Sequence, residues 1–251
     1  MQQQRVEQRF AEFYDLWVAD FELDIPIYLD LCAKHAGPVL EAGCRTGRVS
    51  YHLARAGYEV VGIDVSASLL QVARRRLAPF ADRVRLTRHD MREEPLFERF
   101  GVAIVSLYSL NQLIDVEELR LFLRHLHRSM ASGAAVAIDC FCPRSLADPE
   151  QAAGPRTIER LSDGHRILVV DSREMLTPLL ERRVQRFRID DGPETEVVTH
   201  RRFLPPAQVE RLLEEAGFDG IVEIRGYDPT RLGPIDPSVR ADGPFLVLAE
   251  R

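Results

Sequence analysis

A glycine-bearing segment, Val39–Gly47, lies between a strand-length apolar run and an amphipathic, helix-length stretch. Glycine lets a backbone approach a ligand closely, and the N-terminus of the following helix favours a carboxylate or phosphate. Asp64 ends the next apolar run, 21 residues after Gly43. In a doubly wound sheet these two strand ends flank the crevice that binds nucleotides, where a carboxylate can accept hydrogen bonds from ribose hydroxyls. The spacing therefore predicts a site for a nucleotide-derived cofactor.

Two other kinds of nucleotide site fit this loop less well. Gly43 and Gly47 are four positions apart, so the G-x-G-x-x-G pattern of dinucleotide-binding folds is absent. The loop also lacks the lysine that reaches the phosphates in a P-loop. A nicotinamide or flavin cofactor therefore stays an alternative that the spacing disfavours.

The chain from residue 39 onward alternates strand-length apolar runs with amphipathic helices, which is the pattern of βαβ units. The strands that we predict for one sheet are Val39–Cys44, Tyr58–Ile63, Val84–Thr87, Val102–Leu107, Ala134–Phe141, Phe218–Gly226 and Phe245–Ala249. The sequence therefore predicts an α/β fold with a Rossmann-like, seven-stranded, mostly parallel sheet and helices on both faces.

Residues 156–204 are predicted to form three or four β segments without intervening helices: Thr157–Leu161, Arg166–Arg173, Glu181–Ile189 and Glu196–Phe203. Asp163-Gly164 and Asp191-Gly192 are hairpin turn signals between these segments. We therefore predict an antiparallel β subdomain at residues 143–202, inserted into a cofactor-binding domain made of residues 39–142 and 203–251.

Residues 1–38 are predicted to form an N-terminal helical lid. Four aromatic side chains share one face of its first helix, at helical spacing: Phe10, Phe13, Tyr14 and Trp17. Generic core packing of this aromatic stripe is the alternative interpretation.

Bulk composition argues against several partners. The formal net charge is −6 with acidic and basic residues mixed, whereas proteins that bind nucleic acid favour a basic face. No apolar run reaches the roughly 18–20 residues of a membrane span, and we expect no signal peptide. The cysteines show no metal-ligand spacing, so we expect reduced thiols, no metal site and a cytoplasmic protein. They are Cys32, Cys44, Cys140 and Cys142.

Four segments extend the pattern beyond the glycine loop. They are Glu41-x-Gly43-x-x-x-Gly47, Tyr58–Ser66, His89-Asp90-Met91-Arg92 and Pro205–Phe218. In this order they resemble the cofactor loop, the second motif, the third motif and the late helix of the class I S-adenosylmethionine (SAM) methyltransferases. The resemblance covers about residues 37–141 and 203–250. One position departs from it, because Arg45 replaces the middle glycine of the family's E/D-x-G-x-G-x-G loop.

The resemblance implies that SAM is the cofactor and S-adenosyl-L-homocysteine (SAH) the product. It implies that Glu41 orients the loop, that Asp64 holds the ribose, and that Asp90 with Met91 holds the adenine. The cofactor-binding residues that we expect are Glu41, Gly43, Arg45, Gly47, Asp64, Val65, Asp90, Met91 and Ser106. The sequence leaves three alternatives open for the Arg45 side chain: it pairs with the SAM carboxylate, it points to solvent, or it obstructs the pocket.

The arrangement is similar to the small-molecule branch of the family, which includes glycine/sarcosine N-methyltransferases and N,N-dimethyltransferases of nucleotide-linked amino sugars. In such relatives the N-terminal segment and an antiparallel insert build the acceptor pocket, and the insert often supports dimerisation. We therefore expect a small polar acceptor, such as an amino sugar or natural-product intermediate, with nitrogen favoured over oxygen. We also expect a homodimer through the inserted sheet, and neither a nucleic-acid nor a membrane partner.

Two alternatives to this function remain. A non-catalytic SAM-binding or regulatory relative that acts as a dimer is favoured by the arginine at position 45. RNA base methylation is disfavoured by the acidic charge balance.

The acceptor side is expected beyond the fourth predicted strand. We predict Tyr14, Tyr108 and His200 as catalytic residues, with His200 as the base if the acceptor is a hydroxyl. The chain has no Asn/Asp-Pro-Pro-Tyr/Phe motif, which argues against the amino-methylating enzymes that use it. Further polar candidates are Asn111, Gln112, Asp139, Arg144, Arg201 and Tyr227.

Overall fold

The computed structural model describes residues 2–142, 155–224 and 243–251. The candidates Arg144 and Tyr227 lie outside these ranges, as do residues 143–154 of the predicted insert. Within the ranges the strands form two sheets, one of seven strands and one of four.

Helices and strands alternate through most of the larger sheet. The helices are α1 Gln2–Trp17, α2 Ile25–Lys34, α3 Arg48–Arg55, α4 Ala67–Arg76, α5 Val116–Arg128 and α6 Pro206–Ala216. The strands of the larger sheet are β1 Val39–Ala42, β2 Val60–Asp64, β3 Val84–Arg88, β4 Phe100–Val105, β5 Met130–Cys142, β10 Asp219–Ile224 and β11 Gly243–Glu250. The strands of the smaller sheet are β6 Arg156–Ser162, β7 His165–Thr177, β8 Leu180–Ile189 and β9 Thr195–Arg202.

The larger sheet has the strand order β10-β11-β5-β4-β1-β2-β3. Val39 of β1 lies opposite Val60 of β2 and Val102 of β4, and both pairings are parallel. Among the described strands of this larger sheet, β11 alone runs antiparallel to two neighbours, β5 and β10. The chain leaves β1 toward β2 and β3 and then returns to β4 on the other side, so a crevice opens at the carboxyl ends of β1 and β4. The predicted α/β fold is confirmed.

Different helices cover the two faces of this sheet. Leu40 of β1 packs with Leu123 of α5 and Leu212 of α6 on one face. Val39, its neighbour in sequence, packs on the other face with helices α2 and α3, for example with Leu53. All residues of β1 and β4 are buried, as expected for parallel strands that are covered on both faces.

The smaller sheet has the order β6-β7-β8-β9 and is antiparallel throughout. Asp163 and Gly164 join β6 to β7 with φ angles of 48° and 77°, and Ser162 pairs with His165 across this turn. A two-residue hairpin loop with two left-handed residues favours Asp-Gly, because the turn then matches the twist of the strands. The predicted hairpin is therefore confirmed at this position.

Helix α1 packs between the smaller sheet and the larger domain. The ring of Phe13 stacks on Phe187 of β8 with a centroid distance of 4.3 Å and lies in a cluster with Val169 of β7. On its other side, Ala11 packs with Leu69 and Val72 of α4. The aromatic stripe of the predicted lid thus packs against the smaller sheet.

A buried ion pair fastens the N-terminal segment to the start of α3. Arg48 donates from Nη1 to Asp24 Oδ1 at 2.6 Å and from Nη2 to Asp24 Oδ2, and these side chains are 6% and 2% exposed. Arg48 also donates to the carbonyl oxygen of Phe21 at 2.7 Å. Since a buried charge is stable only when it is paired, this contact ties residues 21–24 to the helix that follows the glycine loop.

Within residues 2–142, 155–224 and 243–251, no helix has the length and apolar character needed to cross a membrane. No group of three or more His, Cys, Asp or Glu side chains is arranged to hold a metal ion in those ranges. Cys32, Cys44 and Cys140 are free, buried thiols.

Candidate functional site

The loop between β1 and α3 enters the left-handed region at every second residue. Gly43, Arg45 and Gly47 have φ angles of 82°, 50° and 76°. A Cβ at Gly43 would lie 2.9 Å from Ser109 Oγ. Both the φ angle and this close approach therefore require glycine at position 43. Arg45 adopts a conformation that is uncommon for residues with a side chain.

Asp64, at the end of β2, holds this loop in place. Its Oδ2 accepts a hydrogen bond from the Arg45 backbone amide at 3.0 Å, and its Oδ1 accepts one from the Ser66 amide at 2.8 Å. Each carboxylate oxygen keeps a second lone pair, and Asp64 lines a cavity at this end of the sheet. The carboxylate thus lies where a ribose can reach it.

Glu41 lies beneath the loop. Its Oε2 accepts hydrogen bonds from the backbone amide of Ser50 at 2.9 Å and from the Ser50 hydroxyl. Ser106 Oγ donates weakly to Glu41 Oε1 at 3.5 Å. Burial raises the pKa of the Glu41 carboxyl to about 7, although the hydrogen bonds from Ser50 oppose that shift. Neither Glu41 nor Ser106 lines the cavity, so their place is behind the loop.

Asp90 and Met91 follow β3 and both line the cavity. The guanidinium of Arg92 donates to both Asp90 oxygens, and these hydrogen bonds lower the pKa of that carboxyl. The ring of His125 in α5 lies 2.8 Å from the Met91 carbonyl oxygen and fixes the backbone there. This segment presents a carboxylate next to an apolar side chain.

The cavity opens at the carboxyl ends of the parallel strands and has a volume of about 540 Å³. That volume falls within the range of small-molecule sites. The loops of the larger domain contribute Gly43, Arg45, Asp64, Val65, Asp90, Met91 and Tyr108 to its wall. Helix α1 and the residue after it contribute Phe10, Phe13, Tyr14, Trp17 and Val18. The smaller sheet contributes Arg183, Gln185, Thr199 and Arg201.

Tyr108 lies in a tight turn after β4. Leu107 and Tyr108 have φ angles of 45° and 58°, two consecutive left-handed residues that are not glycine. The Ser109 hydroxyl donates to the Ser106 carbonyl at 2.7 Å and closes the turn. Burial raises the pKa of the Tyr108 phenol, and the nearby Asp139 adds to that shift. Tyr108 is therefore a neutral hydrogen-bonding group at neutral pH.

The side chain of Arg45 lies against α1. Its guanidinium carbon is 4.8 Å from the centroid of the Tyr14 ring, within the range of a cation–π contact. Burial raises the pKa of the Tyr14 hydroxyl, so this group is also neutral at neutral pH. The Arg45 side chain is half-buried in the cavity wall, so the alternative in which it extends into solvent does not hold.

The structure does not bring His200 to the cavity. Thr199 and Arg201, its neighbours in β9, both line the cavity, whereas His200 does not. Successive side chains of a strand point to opposite faces, so His200 belongs to the face turned away from the site. Gly47 is also absent from the wall, because its Cα faces Leu77 of the helix behind the loop.

Two cavity residues, Arg183 and Gln185 of β8, were missed by sequence reasoning. They stand two positions apart, which puts them on one face of the strand. That spacing was visible in the sequence, but the face that meets the cavity depends on how the smaller sheet packs.

The residues of the larger domain fit a nucleoside cofactor. The carboxylates of Asp64 and Asp90 suit hydroxyl and amino donors, and Leu69 and Met91 supply apolar surface for a flat base. They are the groups that would hold the ribose and adenine of SAM.

Comparison with known proteins agrees with this geometry. A family model described as a methyltransferase domain matches residues 39–133. A dTDP-3-amino-3,6-dideoxy-α-D-glucopyranose N,N-dimethyltransferase from Streptomyces fradiae is 29% identical over an alignment of 169 positions, which covers 62% of this chain and 65% of that protein. The match covers 37%, 50% and 65% of the first three curated relatives, so the chain spans between about a third and two thirds of their length.

Solved structures share the fold over almost the whole chain. A SAM-dependent methyltransferase from Clostridium acetobutylicum ATCC 824 has a TM-score of 0.77 at 17% identity, and the alignment covers 96% of this chain and 97% of that one. The sugar N-methyltransferase KedS8 from Streptoalloteichus sp. ATCC 53650 has a TM-score of 0.72 at 17% identity, with 95% and 93% covered. The matched domain, the crevice and the shared fold agree: residues 39–133 match a methyltransferase domain, and the chain has the fold of solved SAM-dependent methyltransferases.

Proposed function

We propose that this protein transfers a methyl group from SAM to a nitrogen of a small polar metabolite, such as an amino sugar or natural-product intermediate. The observation that carries the proposal is that one cavity joins the cofactor residues to Tyr108, to α1 and to the smaller sheet. A cofactor held by Asp64 and Asp90 would therefore share one cavity with its acceptor.

The residues of this chain have separate tasks in the proposed reaction. When bound, SAM supplies a methyl group on a sulfonium, and its transfer leaves SAH. Asp64 and Asp90 hold the nucleoside, while α1 and the smaller sheet form the walls of the space beside Tyr108. Because the reaction is an in-line displacement, holding the two reactants in register supplies much of the rate enhancement.

The chemistry of the cavity wall favours nitrogen over oxygen. A hydroxyl acceptor usually needs a base, whereas an amine needs only to arrive uncharged. Burial raises the pKa values of the Tyr14 and Tyr108 hydroxyls. Phenolate anions that could act as a base are therefore scarce at neutral pH. Among the cavity residues that the structure describes, His89 is the sole imidazole, and its Nε2 lies 2.9 Å from the Glu94 carbonyl oxygen.

The Streptomyces fradiae relative supports an amino-sugar acceptor. That relative is an N,N-dimethyltransferase of an amino sugar linked to dTDP, and its match is longer than the methyltransferase domain of residues 39–133. The inference to this chain concerns the class of acceptor, a polar molecule that carries an amine.

The test is methyl transfer from SAM with a deuterated methyl group to a panel of acceptors, followed by mass spectrometry. The panel pairs amines, including nucleotide-linked amino sugars, with hydroxyl analogues of the same size. We expect labelled product with an amine and no product with its hydroxyl analogue. Transfer to hydroxyls alone, or to no acceptor while SAM is bound, would contradict the proposal.

A further inference from the structure

The cavity-facing side of the smaller sheet carries more positive than negative charge. Antiparallel pairing puts Arg173 opposite Arg183, and Glu181 opposite Arg201. Asp171 forms ion pairs with both Arg173 and Arg183, at 2.9 and 2.5 Å. Three guanidinium groups therefore share two carboxylates, those of Asp171 and Glu181.

Arg201 is the most enclosed of the three arginines. Its side chain is 13% exposed, and Nη2 donates to Glu181 Oε1 at 2.8 Å. Its Nε is buried and finds no hydrogen-bond partner among residues 2–142, 155–224 and 243–251. Burial lowers the pKa of this guanidinium, and the charges of Arg183 and Arg173 lower it further. A buried guanidinium with surplus like charge beside it is stabilised by an added anion.

Arg201 also lies on the acceptor side of the cavity. Its guanidinium carbon is 4.8 Å from the ring centroid of Phe141, and that ring is 5.5 Å from the ring of Tyr108. Arg183 stands diagonally across from Arg201 on the same face of the sheet, a separation of about 7–8 Å between diagonal neighbours. Both arginines line the cavity, so one anionic group can reach both.

We propose that Arg201 and Arg183 form an anion subsite, and that the methyl acceptor carries a phosphate or carboxylate group which this subsite holds. The inference rests on the proposed function, because it concerns the acceptor of that reaction. Guanidinium groups bind both kinds of anion through paired N–H donors, so the shared chemistry is an oxyanion. Arg201 and Arg183 are specificity-determining residues, and they take no part in bond making.

The test measures the binding of inorganic pyrophosphate and of succinate to the full chain by calorimetry, with and without saturating SAH. We expect pyrophosphate or succinate to bind the wild type, and we expect chloride to compete with that binding. Arg183→Gln and the charge-neutral double variant Glu181→Gln/Arg201→Gln should each weaken that binding by about tenfold or more. The double variant leaves no buried carboxylate unpaired, and Arg183→Gln changes a side chain that is 24% exposed. If one of these variants fails to fold, the other still tests the subsite.

Arg186→Met is the matched control, because Arg186 forms an exposed ion pair with Glu196 and does not line the cavity. It removes one positive charge from the same sheet and should leave anion binding unchanged. Tighter binding of pyrophosphate assigns the subsite to a phosphate, and tighter binding of succinate assigns it to a carboxylate. The inference is overturned if neither anion binds or if Arg186→Met weakens anion binding equally. It is also overturned if the Arg201 variant loses affinity for SAH and keeps its affinity for the anion. Failure of SAH to bind the wild type would refute the proposed function, while anion binding through Arg201 would still be measured in its absence.

Discussion

At the scale of single residues, Arg45 is the position at which this chain departs from the loop pattern of the class I SAM methyltransferases that it resembles. The backbone keeps the left-handed conformation that glycine favours, with φ of 50°, and donates to Asp64. The side chain contacts Tyr14 of α1. Arg45 therefore joins the cofactor loop to the N-terminal helix, a contact that a glycine could not make.

A double-mutant cycle between Arg45→Met and Tyr14→Leu should reveal this contact. We expect a coupling free energy of about 0.5–2 kcal/mol in urea unfolding, because a guanidinium over an aromatic ring contributes that much when it is partly desolvated. Strictly additive effects of the two substitutions would show that the loop and α1 are independent.

Glu41 should make stability depend on pH. Its pKa rises from 4.5 to about 7 on folding, so the folded state binds this proton more tightly than the unfolded state does. The resulting stability is present below pH 4.5 and is lost as the pH rises through about 7. Glu41→Gln cannot ionise and still accepts hydrogen bonds from Ser50.

We therefore expect the stability of Glu41→Gln relative to the wild type to increase from pH 5 to pH 8, by about 2–3 kcal/mol. Urea unfolding at several pH values measures the difference. Glu210→Gln, at an exposed position of α6, is the control for removing a carboxylate. A difference that does not change with pH would mean that Glu41 ionises as freely in the folded protein as in the unfolded chain.

At the scale of elements, the ion pair of Asp24 and Arg48 holds the N-terminal segment against α3. Arg48→Met should destabilise the protein by about 3–5 kcal/mol, since it leaves a buried carboxylate without its partner. Replacing both residues, as Asp24→Leu with Arg48→Met, should cost much less. The exposed pair of Arg166 and Glu159 is the control, where Arg166→Met should cost at most about 1 kcal/mol. Equal losses at the two pairs would contradict the structural role assigned to Arg48.

The strands themselves were predictable from sequence, but the face that each strand presents to the cavity was not. Apolar alternation and the Asp-Gly turn located β6 to β9 within a few residues. Choosing between His200 and Arg201 required knowing which side of β9 meets the larger domain, and a shift of one residue reverses that choice. Arg48 and Asp24 were missed because a contact over 24 residues leaves no periodic signal.

His200→Ala therefore tests which side of β9 faces the cavity. Because His200 points away from the cavity, we expect kcat/KM with an amine acceptor to stay within about twofold of the wild type. A loss of a hundredfold or so, with SAH affinity intact, would restore His200 to the acceptor site.

At the scale of the whole molecule, the cofactor half of the site was largely predictable from sequence and the acceptor half was not. Gly43, Asp64, Asp90 and Met91 all line one cavity, because parallel strands end at the same edge of the sheet. The acceptor wall comes from α1 and the smaller sheet, whose packing on the domain is a long-range property. This difference explains why the family followed from motifs, whereas Arg183 emerged only from the fold.

The homodimer through the inserted sheet stays a prediction. That sheet exposes large apolar side chains, among them Leu161 at 73% and Val198 at 42% exposure, which a second copy would cover. Light scattering coupled to size exclusion should give a dimer for the wild type and a monomer for Leu161→Arg. A wild-type monomer at micromolar concentration would contradict this prediction.

The central claim, that the crevice at the carboxyl ends of the parallel strands binds SAM through Asp64, is tested most directly by calorimetry with SAH. We predict micromolar binding of SAH, no binding of NAD, and a loss of about 1–3 kcal/mol in Asp64→Ala. Asp82→Ala, at an exposed carboxylate, should bind SAH as the wild type does. Absence of SAH binding, or an affinity that Asp64→Ala leaves unchanged, would contradict the account.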